Sequence, residues 1–458
     1  MLEPKNNPNP KLLVDPPNWL RRILRGQFDK MIDPEARRRR REKHENKRKR
    51  EGRAHIVDYF HQFDDPYCHL TAQILKAFAE RYDIELRPHL IRAAGGKNQP
   101  ELERLRDWAR LDAEMIAPHY GLQFPSDAGR TPDNHAQRAA AALMADRSPA
   151  EFVNMIAEVS DALWSAHGSA SLPNSETPAA DDAIEIAYQR GAKRLAAVNH
   201  YSGGVFHYGG ECYWGVDRLF YLEERLRELG VGEVSDAPYL APRPAIDVDG
   251  VDARQLTLDF YPSLNSPYTY IIYDKTIALK NACGIAFNHK PVLPMIMRGV
   301  TATRAKGAYI MFDTKREAEY LGVPFGPVMT PIGDPTRRAY ALLPWAREQG
   351  KDEALMSALL KCAFSGGIPL YTEKGFQRGV EMAGLDWATA KTKLDDDHWK
   401  VMVEGHQDDM VEGLGLWGVP CYRLSGGDEP DLSVWGQDRL WLIAAEIRRR
   451  AGANPKSG

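Results

Sequence analysis

The pattern of hydrophobic and polar positions predicts the same order of strands and helices twice along the chain. Each copy begins with a strand, a helix and a second strand, continues through a long helical region, and ends with two short strands and a helix. The elements predicted in the first copy are a strand to Phe63, helices over Pro66–Arg81, Leu102–His119, Ala136–Met144 and Pro149–Ala166, strands over Ile84–Ile91, Gly204–His207 and Cys212–Tyr213, and a helix over Val216–Leu229. Those in the second copy are strands over Thr257–Tyr261, Gly284–Asn288, Cys421–Arg423 and Leu432–Val434, a helix through Lys280, and a last helix over Gln437–Arg450. This order indicates an α/β architecture in each half.

The two copies are also related residue by residue. Val57–Cys68 lies 201 residues before the similar segment Leu258–Thr269, without a gap. Further pairs at the same offset are Trp108 with Tyr309, Asp112 with Asp313, Gly121 with Gly322 and Phe124 with Phe325. Near the ends of the copies, Trp214–Phe220 resembles Trp435–Trp441. Matching starts, middles and ends at one large period indicate a tandem duplication of a whole domain.

We therefore predict two domains with short flanking segments. The predicted divisions are a basic N-terminal arm with an amphipathic helix over 1–54, a first domain over 55–230, a proline-containing linker over 231–251, a second domain over 252–452 and a tail over 453–458. Proline fixes the backbone, so the linker is expected to act as a spacer.

The N-terminal arm allows a structural and a binding interpretation. Apolar residues recur at helical spacing from Trp19 to Ile32, with arginines between them, which fits a helix on a membrane surface or one packed on its own protein. We favour packing. Residues 37–53 hold eleven basic and three acidic residues, typical of a nucleic-acid or anionic-lipid patch or of a solvated helix. No base-recognition motif accompanies them, so we favour the solvated helix and expect no specific nucleic-acid partner.

Composition narrows the class of protein. A hydrophobic fraction of 43% and a charged fraction of 27% are ordinary for a globular chain of 458 residues. Five cysteines are scattered without a CxxC pair, which favours a reducing compartment over a disulfide framework. We find no secretory signal and no apolar run of about 20 residues that could span a membrane. We expect a cytoplasmic protein.

Three segments of the second copy are candidates for a binding site. Ser266 follows the first strand and is expected to cap the next helix, with Pro267 at its first position. Val419 and Pro420 precede a strand, where a cis bond would expose the Val419 backbone to an extended ligand. Gln437 and Asp438 begin the last helix and suit the head group of an amino acid. A ligand with a thiol at one end and an amino-acid head at the other would span all three segments, and glutathione is such a ligand.

At these positions the second copy resembles a known family. The matching residues are Ser266-Pro267-Tyr268, Lys306, Tyr309, Asp313, Arg316, Ala318, Gly322, Pro324, Gly418-Val419-Pro420 and Trp435-Gly436-Gln437-Asp438-Arg439. Together they cover about residues 256–450 and resemble 2-hydroxychromene-2-carboxylate isomerases and kappa-class glutathione transferases, within the DsbA-like thioredoxin superfamily. The resemblance implies two tandem thioredoxin-like domains of DsbA or kappa type, each with a helical insertion.

The resemblance also implies roles for individual residues. It implies that Ser266, the candidate catalytic residue, contacts the glutathione sulfur, Val419 its backbone and Asp438 its γ-glutamyl end. Pro420, Gln437 and Lys306 are further candidates for ligand binding, and for Lys306 the alternative is an ion pair on a helix surface. Ser266 and Thr269 stand where redox members carry their two cysteines, so dithiol exchange by this half is not expected.

The first copy departs from the motif and forms a candidate second site. Asp65 replaces the serine, and its carboxylate would repel a thiolate. Gly203-Gly204 occupies roughly the place of Val419-Pro420, while Tyr67, Cys68 and Asp217 keep their positions. We predict a structural or altered role for this half. The spacing of its histidines, aspartates and Cys68 fits no tetrahedral metal site, so no metal is expected.

The leading hypothesis is a glutathione-dependent isomerase or transferase that acts on an aromatic-derived electrophile. One alternative is a DsbA-like thiol oxidoreductase that uses Cys68 or Cys421. Another is a non-catalytic binding protein with a thioredoxin fold. Glutathione is the expected cofactor, a small aromatic-derived molecule the expected substrate, and a homodimer one candidate assembly.

Overall fold

The computed structural model describes residues 2–125, 131–165, 167–173, 178–232 and 237–452. The predicted tail over 453–458, part of the predicted linker and the last residue of the predicted helix Pro149–Ala166 lie outside these ranges. The chain divides into two units. We call residues 37–244 the first unit, and residues 1–36 together with 245–458 the second unit.

Helices and strands follow the predicted order. The N-terminal region forms three helices, α1 (Lys11–Val14), α2 (Asn18–Ile32) and α3 (Pro34–Arg50). The first copy contains β1 (His55–His61), α4 (Pro66–Arg81), β2 (Ile84–Leu90), α5 (Leu102–Ile116), α6 (Asn134–Met144), α7 (Pro149–Trp164), α8 (Asp181–Ala197), β3 (Val205–Tyr208), β4 (Glu211–Trp214) and α9 (Val216–Glu228). The second copy begins with β5 (Thr257–Tyr261), α10 (Pro267–Cys283) and β6 (Ala286–His289). Its helical insertion contains α11 (Arg304–Leu321), α12 (Asp334–Ala341), α13 (Leu343–Glu348), α14 (Asp352–Phe364), α15 (Glu373–Met382), α16 (Trp387–Lys391) and α17 (Trp399–Asp408). It ends with β7 (Cys421–Ser425), β8 (Leu432–Trp435) and α18 (Leu440–Arg450).

Each copy builds one four-stranded sheet, and the two sheets have the same topology. The strand orders are β2-β1-β3-β4 and β6-β5-β7-β8, with a parallel first pair and two antiparallel pairs after it. Phe60 lies opposite Val205 in the first sheet, and Tyr261 lies opposite Cys421 in the second. The predicted α/β architecture with a helical insertion in each half is therefore confirmed.

Residues at the ends of the first helix in each copy explain where that helix begins and ends. Ser266 caps α10, since its hydroxyl accepts a hydrogen bond from the Thr269 N–H, and Pro267 occupies the first helical position. Gly284, with φ of 69°, ends the helix in the left-handed conformation. Asp65 and Pro66 start α4 in the same way.

One side-chain hydrogen bond is repeated between this helix and the insertion. The Tyr67 hydroxyl donates to the Asp112 carboxylate at 2.7 Å, and the Tyr268 hydroxyl donates to the Asp313 carboxylate at 2.8 Å. Both residues of each pair differ by the sequence offset noted above. The repeat in sequence is thus a repeat of contacts.

The sequence predicts the N-terminal arm as one segment, but its two parts belong to different units. Residues 1–36 pack on the second unit, and the rest of α3 packs on the first. Asp15 and Glu3 both bind Arg337, and the buried Arg21 guanidinium donates to Asp15 and to the Thr330 carbonyl. The α2 helix therefore packs on its own protein, as we favoured from the sequence.

The basic helix α3 makes specific contacts within the first unit. Arg41 forms two hydrogen bonds to Glu211, at 2.6 and 2.8 Å, and the His44 ring packs edge-on against Tyr208. Lys43 and Lys47 on the same helix remain exposed.

The predicted linker is not a free spacer throughout its length. Residue 240, in the middle of the linker, donates its N–H to Glu223, so this part of the linker packs on the first unit.

Within the described ranges, no helix has both the length and the apolar character required to cross a membrane.

We predict that the arm stabilises the second unit through two asparagine side chains. Asn7 donates to the carbonyls of residues 296 and 297, and Asn9 donates to those of residues 296 and 300. Replacing both by alanine should lower the free energy of unfolding by about 1 kcal/mol for each amide lost, because the partly buried carbonyls lose their donors. Calorimetric unfolding measures this change. Asn6→Ala, at the exposed position next to Asn7, is the control. An equal effect of the control would contradict the prediction.

Candidate functional site

The candidate site of the second unit lies at one edge of its sheet. The chain leaves β5 at Tyr261 and reaches Ser266 at the start of α10, while β7 begins at Cys421 directly opposite Tyr261. The Pro420 carbonyl accepts a hydrogen bond from the Gly436 N–H at 2.9 Å. The helix start, the loop before β7 and the turn after β8 are therefore held at the same edge.

Ser266 has a hydroxyl suited to donate to a ligand. Its oxygen already accepts the Thr269 N–H at 3.1 Å, which leaves the hydroxyl proton as the donor. The side chain is only 9% exposed, and it sits where the partial positive charge of the α10 dipole is largest. A sulfur placed here would be favoured as a thiolate by both effects.

The Val419–Pro420 peptide bond is cis, as expected from the sequence. Val419 is half-buried, and within the part of the chain that the structure describes no residue hydrogen-bonds to its backbone. This backbone can therefore pair with an extended ligand. Gly418 makes the arrangement possible, because a Cβ at this position would lie 1.9 Å from the Trp435 ring.

The turn that begins the last helix differs from the prediction of one continuous helix. Gln437–Arg439 form a short 3-10 turn, and the backbone bends at Asp438 before α18 begins at Leu440. The Gln437 side chain is buried and donates to the Glu317 carboxylate at 2.7 Å, so it anchors the turn to α11 and is not presented to a ligand. Asp438 is partly exposed, and its side chain lies 3.9 Å from the Arg439 guanidinium.

Lys306 lies in the first turn of α11, where its N–H donates to the capping hydroxyl of Thr303. Burial lowers the pKa of its ammonium group. No carboxylate among the described residues pairs with it. A desolvated cation without a partner is a suitable contact for an anionic ligand.

Arg298 is a second such cation, which sequence reasoning missed. Its guanidinium donates to the carbonyls of Leu293 and Trp417, at 2.9 and 2.6 Å, and the second of these belongs to the loop that carries Val419. Burial lowers its pKa to about 10, although the nearby Cys421 and Tyr340 oppose this shift. The loop has no helical or strand periodicity, so only the fold reveals that Arg298 reaches the site.

The two thiols that the sequence offers for exchange chemistry are poorly placed for it. Cys68 and Cys421 are fully buried, and burial raises the pKa of both sulfurs, with the Asp65 charge acting in the same direction on Cys68. Thr269, at the position of a second cysteine, is also fully buried. A thiolate at Cys68 or Cys421 is therefore disfavoured.

The first unit contains the corresponding arrangement in a closed form. The strand register places Gly203-Gly204 where the second unit has Val419-Pro420. Cys68 donates its thiol proton toward Asp65 at 3.3 Å and accepts the Gln62 N–H at 3.2 Å. A Cβ on Gly203 would lie 2.8 Å from the Cys68 sulfur and 3.0 Å from Asp65. The backbone packs directly onto these groups.

The other candidate residues of the first unit have partners within the fold. Asp217, which corresponds to Asp438, is 8% exposed and accepts a hydrogen bond from the Tyr120 hydroxyl at 2.8 Å. The Tyr67 hydroxyl is directed to Asp112. Burial raises the pKa of Asp65 to about 7, despite the opposing hydrogen bonds from Cys68 and the Tyr67 N–H. The fold brings Asp65 and Cys68 into contact in the packed interior of the first unit.

Comparison with known proteins finds a family match within the second unit. Residues 257–448 match the model of the DSBA-like thioredoxin domain. A 2-hydroxychromene-2-carboxylate isomerase of Pseudomonas putida is 26% identical over 202 residues, which cover 38% of this chain and 95% of that protein. With the repeated sheet topology, the family match confirms the expected fold class, two tandem thioredoxin-like domains with helical insertions.

Solved structures of similar proteins include a 2-hydroxychromene-2-carboxylate isomerase and a cytosolic disulfide reductase from Pseudomonas aeruginosa. The first is 20% identical, covers 43% of this chain and 100% of its own, and has a TM-score of 0.36. The second is 17% identical, covers 42% of this chain and 98% of its own, and has a TM-score of 0.33.

We predict that Gly418→Ala displaces the Trp435 ring. The added methyl group overlaps the ring, so unfolding should require about 1–3 kcal/mol less free energy. Gly307→Ala is the matched control, because a Cβ there meets no atom within 4 Å. The control should be neutral or slightly stabilising. Denaturant titration measures the free energy of unfolding of both variants. Equal values would show that the position of the Trp435 ring does not depend on a glycine at position 418.

A pH dependence of stability should come from Asp65. In the unfolded chain the Asp65 carboxyl loses its proton at about pH 4, whereas in the folded chain it keeps the proton to about pH 7. Between these two pH values the unfolded state therefore binds fewer protons than the folded state. The stability contributed by this group is present below about pH 4 and is lost as the pH rises toward 7, by roughly 4 kcal/mol at most.

Asp65→Asn should remove this slope, which is measured as the difference in unfolding free energy between the native chain and the variant across the pH range. The exposed Asp182→Asn is the control. A difference that does not change with pH would contradict the assignment.

Proposed function

We propose that residues 257–448, a DSBA-like thioredoxin domain, bind glutathione and use it for isomerisation or transfer on an aromatic-derived electrophile. The observation that carries the proposal is the Ser266 hydroxyl at the start of α10, on the sheet edge that also presents the unpaired Val419 backbone. The isomerase activity named for the Pseudomonas putida relative supports the reaction class.

The residues present fit glutathione at each of its ends. Ser266 can donate its hydroxyl proton to sulfur, Val419 can pair with the peptide backbone, and Asp438 can accept from the γ-glutamyl ammonium group. Arg298 and Lys306 supply positive charge that no carboxylate among the described residues neutralises. An anionic tripeptide would compensate these charges.

Bound glutathione would supply a thiol for reversible addition to a conjugated carbon of the substrate, which would allow rotation about the former double bond before the thiol is eliminated. The chain's part is to favour the ionised thiol and to hold the substrate. Ser266 and the α10 dipole each contribute on the order of 1 kcal/mol to the ionised form. Arg298, beside the Val419 loop, can orient an anionic substrate group. No oxidant is required, because both the isomerisation and the transfer proceed by thiol addition, which leaves the overall oxidation state unchanged.

The alternative functions receive less support from the geometry. An oxidoreductase that uses Cys68 or Cys421 requires a sulfur that reaches solvent, and both sulfurs are fully buried. A non-catalytic binding protein is an outcome of the test below. The cytoplasmic location and the homodimer stay predictions from the sequence.

Calorimetric titration with reduced glutathione tests the proposal. We expect saturable binding, a loss of about tenfold or more in affinity for Asp438→Ala because a charge-assisted hydrogen bond is removed, and a weaker loss for Ser266→Ala. The thiol pKa of bound glutathione, followed by thiolate absorbance, should rise by about one unit in Ser266→Ala.

The matched control is Asp65→Asn, which alters the corresponding helix start of the first unit and should leave glutathione affinity unchanged. Absence of saturable binding to the native chain would refute the proposal. If the chain binds glutathione but does not convert aromatic electrophiles, it is a glutathione-binding protein and not an enzyme of the proposed class.

A further inference from the structure

The N-terminal helices expose an unusual group of apolar side chains. Twelve large apolar side chains are exposed among the described residues, and four of them fall within residues 12–23. These are Leu12, Leu13, Trp19 and Ile23, with exposed fractions of 53%, 47%, 59% and 50%. We call them, together with the exposed basic residues Lys11, Arg22 and Lys30, the arm patch.

The members of the arm patch that belong to α2 lie on one face of that helix. Arg22, Ile23 and Lys30 lie three, four and eleven residues after Trp19, so all four project from the same side of the helix. Lys11 and Leu12 line a surface depression beside the start of α2, together with Asn18, Arg21 and the exposed Asp334. The opposite side of α2 packs on the second unit through Arg21 and Ile32.

The unpaired charges that residues 1–32 contribute to this surface are positive, although the exposed Asp334 lines the depression beside Lys11. The three acidic residues of residues 1–32 have cationic partners, since Glu3 and Asp15 bind Arg337 and Asp29 lies beside Arg25. In contrast, no carboxylate among the described residues pairs with Lys11, Arg22 or Lys30. The patch is therefore apolar at its centre and cationic around it.

We propose that the arm patch binds an anionic lipid surface. Leucine, isoleucine and tryptophan can enter the boundary between head groups and acyl chains, while the long basic side chains reach lipid phosphates. A symmetric contact with a second copy is disfavoured, because it would place Lys11, Arg22 and Lys30 against the same cations. The contact is peripheral and leaves the fold of the second unit unchanged.

Sedimentation of the full chain with vesicles tests this inference. We expect binding to vesicles of phosphatidylcholine mixed with phosphatidylglycerol, little binding to phosphatidylcholine alone, and weakening by salt. Trp19→Ser with Ile23→Ser should abolish most of the binding, and each of Arg22→Glu and Lys30→Glu should reduce it by about fivefold or more. Circular dichroism confirms that each variant is folded.

Two controls separate the arm patch from other surfaces. Ile186→Ser changes an isoleucine of similar exposure, 53%, in the first unit and should leave vesicle binding intact. Lys43→Glu with Lys47→Glu reverses charge on the basic helix α3. Binding lost in this α3 variant but retained in the Trp19 and Ile23 variant would overturn the proposal, as would no binding to anionic vesicles. Self-association that depends on Trp19 and Ile23, without vesicle binding, would identify a second copy as the occupant and likewise overturn it.

Discussion

The structure of the candidate site depends on the antiparallel pairing of β5 with β7. Because Tyr261 lies opposite Cys421, the residues after β5 and those before β7 are brought to the same edge of the sheet. The hydrogen bond from the Gly436 N–H to the Pro420 carbonyl then adds the turn before α18. Segments separated by more than a hundred residues thus form one surface, and a slip in register would separate them.

The two units show how one scaffold can be open or closed at this edge. In the second unit a serine caps the helix, and the Val419 backbone lacks a partner among the described residues. In the first unit an aspartate caps the helix, and the backbone at Gly203 packs onto Asp65 and Cys68. The absence of a side chain at Gly203 permits this close approach. Burial then raises the pKa of Asp65, so its carboxyl keeps the proton at a pH where an exposed aspartate is ionised.

Unbalanced positive charge links the proposed function with the N-terminal arm. Arg298 and Lys306 are desolvated without a carboxylate partner among the described residues, and such charges are stabilised when an anion binds. The amides of Asn7 and Asn9 hold the carbonyls on both sides of Arg298. The arm therefore supports the loop that carries this cation with one part of its length, and exposes its apolar and basic patch with another.

The sequence by itself determined the repeated order of elements, the caps at Ser266 and Asp65, and the candidate residues Val419, Pro420 and Asp438. These features are local, because they depend on periodicity, on proline and on the ability of small polar side chains to cap a helix. It also carried the resemblance on which the glutathione proposal rests.

Only the tertiary structure decided which side chains face the site. It turned Gln437 toward Glu317, brought Arg298 to the Trp417 carbonyl, and closed the first unit over Cys68. It also divided the arm between two units and left Trp19 and Ile23 exposed. These outcomes depend on contacts between residues far apart in the chain, and neither periodicity nor local propensity contains information about such contacts.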